Sequence, residues 1–171
     1  MRIRGFALAA MVLVCTAASA SAAMRIADDR GGQIGQYLHA FAELRSSGER
    51  VIIDGNCLSA CTMVLGMIPR NRMCATGRAR LGFHAAWLPD RDGNPVTSDV
   101  GTKALWKIYP LSVRRWINRH GGLSRQMIYM QGRDLYAFVP SCSRIRETQA
   151  RSRSRYVNPP RYQDANAASY R

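Results

Sequence analysis

Ser59, His84, Asp134 and the pair Gly31-Gly32 are the residues of this chain with chemistry to offer. Ser59 lies in a Gly55-Asn56-Cys57-Leu58 turn and opens an apolar, helix-like run. His84 closes the strand-like run Leu81-Gly82-Phe83, 25 residues further on. Asp134 follows Gly132-Arg133 at a junction between a helix-like and a strand-like segment. A hydroxyl nucleophile, an imidazole base, a carboxylate to orient it and backbone N–H groups for an oxyanion are what a serine hydrolase requires. Each residue also has a plainer reading. A serine at a helix start commonly caps that helix, a strand-end histidine is commonly half-buried structure, and an aspartate beside Arg133 suits an ion pair. His39 falls mid-helix, and His120 falls beside a helix-ending Gly121-Gly122, where a cation complements the helix dipole. Asp28, Asp29, Asp90, Asp92 and Asp99 are rival acids. A GxSxG pattern is absent, which disfavours an α/β-hydrolase.

The elements that must position these residues alternate. Met24 to Ala27 reads as a strand, and Ile34, Leu38, Phe41 and Leu44 recur at near-helical spacing up to Ser46-Ser47-Gly48. Val51-Ile52-Ile53 is a continuous β-branched run, the mark of a buried parallel strand. Ser59 to Gly66 reads as a helix, and Arg72 to Thr76 and Arg80 to His84 as strands. Leu88 to Ser98 is a polar, turn-rich loop, and Thr102 to Arg119 a long amphipathic helix interrupted or bent near Pro110. Ser124 to about Gln131 is expected to be helical, and Leu135 to Val139 a last strand. Strands alternating with helices make the fold class α/β.

The termini have a different character. Arg2 and Arg4, the apolar stretch 5–18 and two small-x-small sites near Ala20 to Ala22 read as a cleavable signal peptide over 1–22. The 14-residue apolar stretch is shorter than the roughly 20 residues a membrane span needs, so no stable span is expected. The expected location is the periplasm or the extracellular medium. Residues 23–142 would form one domain. The tail 143–171 holds seven arginines against Glu147 and Asp164, with no periodic apolar face, and reads as disordered. The formal net charge of +14 suits weak contact with anionic surfaces through this tail. The basic residues are not interleaved with aromatics in a repeating way, so no specific nucleic-acid partner is expected.

Cys57, Cys61, Cys74 and Cys142 remain after signal removal, an even number that suggests disulfides in an exported chain. Loop lengths favour Cys61 with Cys74 and Cys57 with Cys142. Metal binding is the alternative, but the Cys57-x-x-x-Cys61 spacing has no histidine-rich partner segment, and no metal or other cofactor is expected.

With these residues in place, the chain resembles the Clp protease/crotonase-like superfamily, in particular small exported members with a Ser-Ala-Cys motif, here Ser59-Ala60-Cys61. The Ser59-to-His84 segment is similar to that family's serine-to-histidine segment without a gap. Gly31-Gly32 stands where the family has a Gly-Gly loop, and Gln131 to Leu135 resembles the stretch with its third catalytic residue. The resemblance covers roughly Met24 to Val139. It implies a truncated Clp protease/crotonase-like βαβ core with a small, mostly parallel sheet flanked by helices. It also implies Ser59 as nucleophile, His84 as base, Asp134 as orienting acid, and the backbone N–H groups of Gly32 and Ala60 as the oxyanion hole. The implied activity is peptidase-like acyl transfer on a peptide or small acyl substrate. A catalytically inactive periplasmic binding or scaffold module of the same fold is the alternative. The departures are a missing strand-helix-strand unit before the Gly-Gly loop, Asp29-Arg30 in place of the family's Ser-Pro, and no substantial helix after Asp134. A missing edge and the aromatic residues between Thr102 and Arg119 point to a homo-oligomer or a protein partner.

Overall fold

The computed structural model describes residues 23–144. The signal peptide read over 1–22 and the tail from 145 onward lie outside the described residues. Strand β1 (Ala23–Asp29) leads through the Gly31-Gly32 loop into helix α1 (Ile34–Ser47), which ends on Gly48. Strand β2 (Arg50–Leu58) follows and lies parallel to β1. β2 is the centre of a five-stranded sheet. Its β1-opposed edge pairs in sequence with two parallel strands: β3 (Met73–Ala75) alongside residues 51–53, then β4 (Arg80–Phe83) alongside residues 56–58. The last strand, β7 (Ile128–Gln131), runs antiparallel to β4. The α/β class and the mostly parallel sheet flanked by helices are therefore present. Val51 and Ile53 are completely buried, as a β-branched run in a covered parallel sheet should be.

Between β2 and β3 the chain makes a 3-10 turn over Ser59–Met63 and the short helix α2 (Val64–Met67). After β4 it forms a two-stranded hairpin, β5 (Trp87–Pro89) with β6 (Pro95–Thr97), where a structureless loop was expected. The Asp90 carboxylate accepts the backbone N–H groups of Asp92 and Asn94 and so closes that hairpin's turn. Of the interruption or bend expected near Pro110, the chain has the interruption, between α3 (Asp99–Ile108) and α4 (Leu111–Arg119). Pro110 has no N–H to continue the first helix, and it disfavours helical geometry at Tyr109.

Leu105, Tyr109, Val113, Trp116 and Ile117 are all buried in the core of their own chain, with Phe83 edge-on to Tyr109. Most of the aromatic surface that seemed to need a partner is thus covered within the chain, while Trp106 is only partly buried. β1 remains an edge strand whose first three residues are exposed. No helix among the described residues is long and apolar enough to cross a membrane.

Two further expectations are corrected. Ile128 to Gln131 is strand, not helix, and Gly132–Phe138 forms helix α5 where a strand was expected. β7 is drawn into extended form by the free edge of β4, and Leu135 and Val139, one helical turn apart, both enter the core. The cysteines pair as Cys57–Cys61 and Cys74–Cys142, not as Cys61–Cys74 and Cys57–Cys142. The reason is the sheet. Parallel pairing sets Cys74 beside Ile52, while residues 140–142 return alongside β3, with Ala75 N–H donating to the Pro140 carbonyl. Every described cysteine is in a disulfide, and the two bridges are compatible with an exported protein.

In the middle of β2, Asp54 is buried beneath the exposed guanidinium groups of Arg25 and Arg78 and the hydroxyl of Thr76. The Arg78 hydrogen bonds, then that from Thr76, hold its carboxyl well below the usual carboxylate range. Breaking this cluster would leave a buried charge without partners, so Asp54 ties β1, β2 and the β3–β4 connection together.

Candidate active site

The turn at Ser59 is where the backbone departs furthest from its ordinary preferences. Ser59 has φ 55°, the one positive φ at a non-glycine residue among the described residues. Left-handed backbone costs an L-residue roughly 1–2 kcal/mol and persists where the surroundings enforce it. Three features enforce it here. The Cys57–Cys61 disulfide, with a Cα separation of 5.3 Å, closes a small ring with Ser59 at its middle. The buried Thr62 hydroxyl donates to the Ser59 carbonyl at 2.6 Å and in turn receives the Tyr109 hydroxyl at 2.6 Å. Burial pushes the Tyr109 phenol up to about 12, so the phenol stays protonated and able to donate. Gly31 then presses on the turn from β1. A Cβ at Gly31 would stand 2.5 Å from the Leu58 carbonyl oxygen and 2.6 Å from the Ser59 Cβ. Gly31 also has φ 81°, so both space and conformation demand glycine.

The capping role open to Ser59 is not the one it plays. Leu58 occupies the cap position and no side chain caps this 3-10 turn. Ser59 instead lines a cavity of about 560 Å³ together with Gly31, Gly32, His84, Trp87 and Leu105. Ser59 and His84 are thus brought to one cavity by the parallel pairing of β2 with β4, which places the ends of the two strands side by side. No hydrogen bond joins the two side chains, a loose geometry that resting active sites often have.

The His84 Nδ1 faces the Ala85 carbonyl at 2.6 Å. A carbonyl only accepts, so Nδ1 carries the proton and Nε2 keeps its lone pair, the tautomer a general base needs. Asp134 is not the group that fixes this tautomer. Its carboxylate accepts the Trp116 indole N–H at 3.0 Å and lies 4.0 Å from the His120 Nε2, on which Trp116 stacks. Asp134 therefore belongs to a surface cluster with His120, because α5 sets it toward α4 rather than toward the end of β4. His39 sits exposed on α1 beside Glu43.

Of the predicted oxyanion donors, Gly32 lines the cavity and Ala60 is completely buried directly behind Ser59. The Gly31 N–H is already committed to the Asp29 carboxylate at 2.8 Å. Asp29 also accepts the Tyr37 hydroxyl from α1 and so braces the glycine loop. Burial, reinforced by the Asp29 bond and charge, raises the Tyr37 phenol. Sequence reasoning missed Thr62, Tyr109 and Tyr37 as supports. Thr62, three residues after Ser59, was discoverable as a turn-stabilising hydroxyl; the two tyrosines come from distant helices and left no local signal. Compared with known proteins, the chain matches no protein-family model and no curated sequence.

Proposed function

We propose that this protein is an exported serine hydrolase that works by acyl transfer, with Ser59 as nucleophile and His84 as general base. The observation that carries the reading is the left-handed Ser59 on a strand-to-helix turn, sharing a cavity of about 560 Å³ with a histidine whose Nε2 is free to accept a proton. Proteins keep backbone strain of this kind where the geometry is needed, and here it sets a serine at a cavity instead of in a capping role. In the reaction, Ser59 Oγ attacks the substrate carbonyl carbon while His84 Nε2 takes the hydroxyl proton. The oxyanion would face the N–H groups of Gly32 and Ala60, each such donor contributing roughly 3–4 kcal/mol. Collapse of the tetrahedral adduct expels the leaving group, which receives the proton from His84. Water repeats the sequence to release the acid. With the Ala85 carbonyl in place of a carboxylate at Nδ1, the catalytic unit is a dyad with a backbone orienter.

The resemblance to Clp protease/crotonase-like chains supports a peptide bond as the substrate, and the mostly parallel sheet flanked by helices is compatible with it. The second reading, a binding module of the same fold without turnover, draws on the missing carboxylate at His84 and the missing Ser59–His84 hydrogen bond. Labelling the oxidised full chain with a fluorophosphonate separates the two. The hydrolase reading expects labelling that disappears in Ser59→Ala and falls at least a hundredfold in His84→Ala. Labelling equal to that of Ser59→Ala would leave the binding module.

A further inference from the structure

A second cavity, of about 350 Å³, adjoins the one at Ser59. His84 and Trp87 line both; Ser59 lines only the larger, and Arg125, Thr97 and Met127 line only the smaller. The imidazole therefore stands on the boundary between the two spaces. No acidic residue lines either cavity. Arg125 is exposed and has no ion pair or side-chain hydrogen bond among the described residues. Its backbone is nonetheless fixed beside His84. The Ala85 N–H donates to the Ser124 carbonyl at 2.7 Å, joining the residue after His84 to the residue before Arg125. The Gln126 N–H donates to the Ser124 hydroxyl at 3.2 Å and closes a tight turn with Arg125 inside it.

The order of proton transfers gives the two cavities different jobs. The leaving atom must sit where His84 can protonate it, whereas the acyl carbon must sit at Ser59 beside the glycine loop. We infer that the substrate spans both cavities, its acyl part in the larger and its leaving part in the smaller, and that Arg125 binds a carboxylate on that leaving part. This rests on the Ser59–His84 reading. The volume of the smaller cavity, at the low end for ligand sites, suits one or two amino-acid residues, so the substrate is a peptide cleaved close to its free C-terminus. In that step the Ser59 Oγ–carbon bond forms and the carbon–nitrogen bond breaks. The Oγ proton passes through His84 Nε2 to the departing amine. Water then cleaves the acyl-serine ester, returning the hydroxyl and releasing the acyl part as a carboxylic acid. Guanidinium suits this task because it is charged at every working pH and pairs with carboxylate through two N–H donors.

The test measures binding without turnover. The full-length, oxidised Ser59→Ala protein is titrated by calorimetry with an N-acetylated apolar tetrapeptide bearing a free C-terminal carboxylate, and with the same peptide as its C-terminal amide. The acid should bind about tenfold more tightly than the amide, with the preference shrinking as salt is raised. Arg125→Gln in the same background should bring the ratio near one. Arg125→Lys should retain part of it, and Arg115→Gln on α4 should leave it intact. Equal affinities of acid and amide, binding of neither peptide, or a preference that survives Arg125→Gln would overturn the inference. Fluorophosphonate labelling of the native chain is run alongside. Ser59-dependent labelling without an acid preference removes the role of Arg125 and keeps the nucleophile, whereas an acid preference without labelling removes the nucleophile and shows a binding cleft.

Discussion

The two walls of the larger cavity are built in opposite ways. On one side is the serine turn, where Cys57, Ala60, Cys61 and Met63 have no exposed surface. On the other is the β5–β6 hairpin, where Trp87, Leu88 and Val96 are each more than half exposed. The turn is closed by a disulfide, a glycine in contact with its backbone and a buried hydroxyl pair. The hairpin is a two-stranded sheet of its own, held by a short ladder and an aspartate turn, and such a unit has little stability alone. The difference teaches a division of labour. In the proposed hydrolase, the nucleophile would be set among core residues and the apolar surface facing it left free to adjust.

The sharpest way to break this contrast is to put the same substitution in both walls. Gly31 and Gly93 have φ of 81° and 86°, so alanine is strained at both. Only Gly31 has neighbours in the way. Gly31→Ala should cost about 3 kcal/mol or more, from overpacking added to left-handed strain, and abolish labelling of Ser59. Gly93→Ala, in the hairpin turn, should cost about 1 kcal/mol and leave labelling intact. Chemical denaturation of the two variants decides; similar losses would mean the walls are equally rigid.

Next in size is the clamp itself. Replacing Cys57 and Cys61 together by alanine should cost about 2 kcal/mol in the chain-entropy picture, since the ring is short. The labelling rate should fall roughly tenfold well below the melting temperature, because the turn no longer holds its left-handed residue. An unchanged rate in a destabilised protein would show that the disulfide supports the fold and not the serine.

A smaller effect has the opposite sign. Ser59→Gly should raise stability by about 0.5–1 kcal/mol, glycine accepting the left-handed backbone at the cost of a more flexible unfolded chain. For a domain of this size that is a rise of a few degrees in melting temperature. A loss of stability would show that the turn is relaxed around serine. Smallest is Trp87→Ala. Being 52 % exposed and in a hairpin on the surface, it should change the unfolding free energy by less than about 0.5 kcal/mol. Its weight should appear in peptide affinity instead, which calorimetry would read.

What was legible in the sequence follows the same division. The β-branched run at residues 51–53, the apolar spacing of α1, and the serine and histidine at strand ends each carry their information locally, and the structure places them as read. The segment from 124 to 139 was read in reverse, as helix then strand, because each piece is too short for its periodicity to separate the two. The deciding facts are tertiary: an unpaired β4 edge for residues 128–131 and a core slot for Leu135 and Val139. Disulfide pairing failed for a related reason. Loop length ranks pairings, but only the sheet register brings Cys74 to Cys142. Asp134 carried a pattern but no direction, and α5 turned it toward His120.

The Cys57–Cys61 ring has one more consequence. Such a bond does not last in a reducing cytosol, so the ring closes where the surroundings are oxidising. A reduced chain would hold Ser59 with one of its three constraints gone, leaving the Thr62–Tyr109 hydroxyl pair and Gly31 to keep the turn. In the hydrolase proposed here, oxidation of this ring would be the last step of maturation, one that quickens Ser59 rather than switching it on.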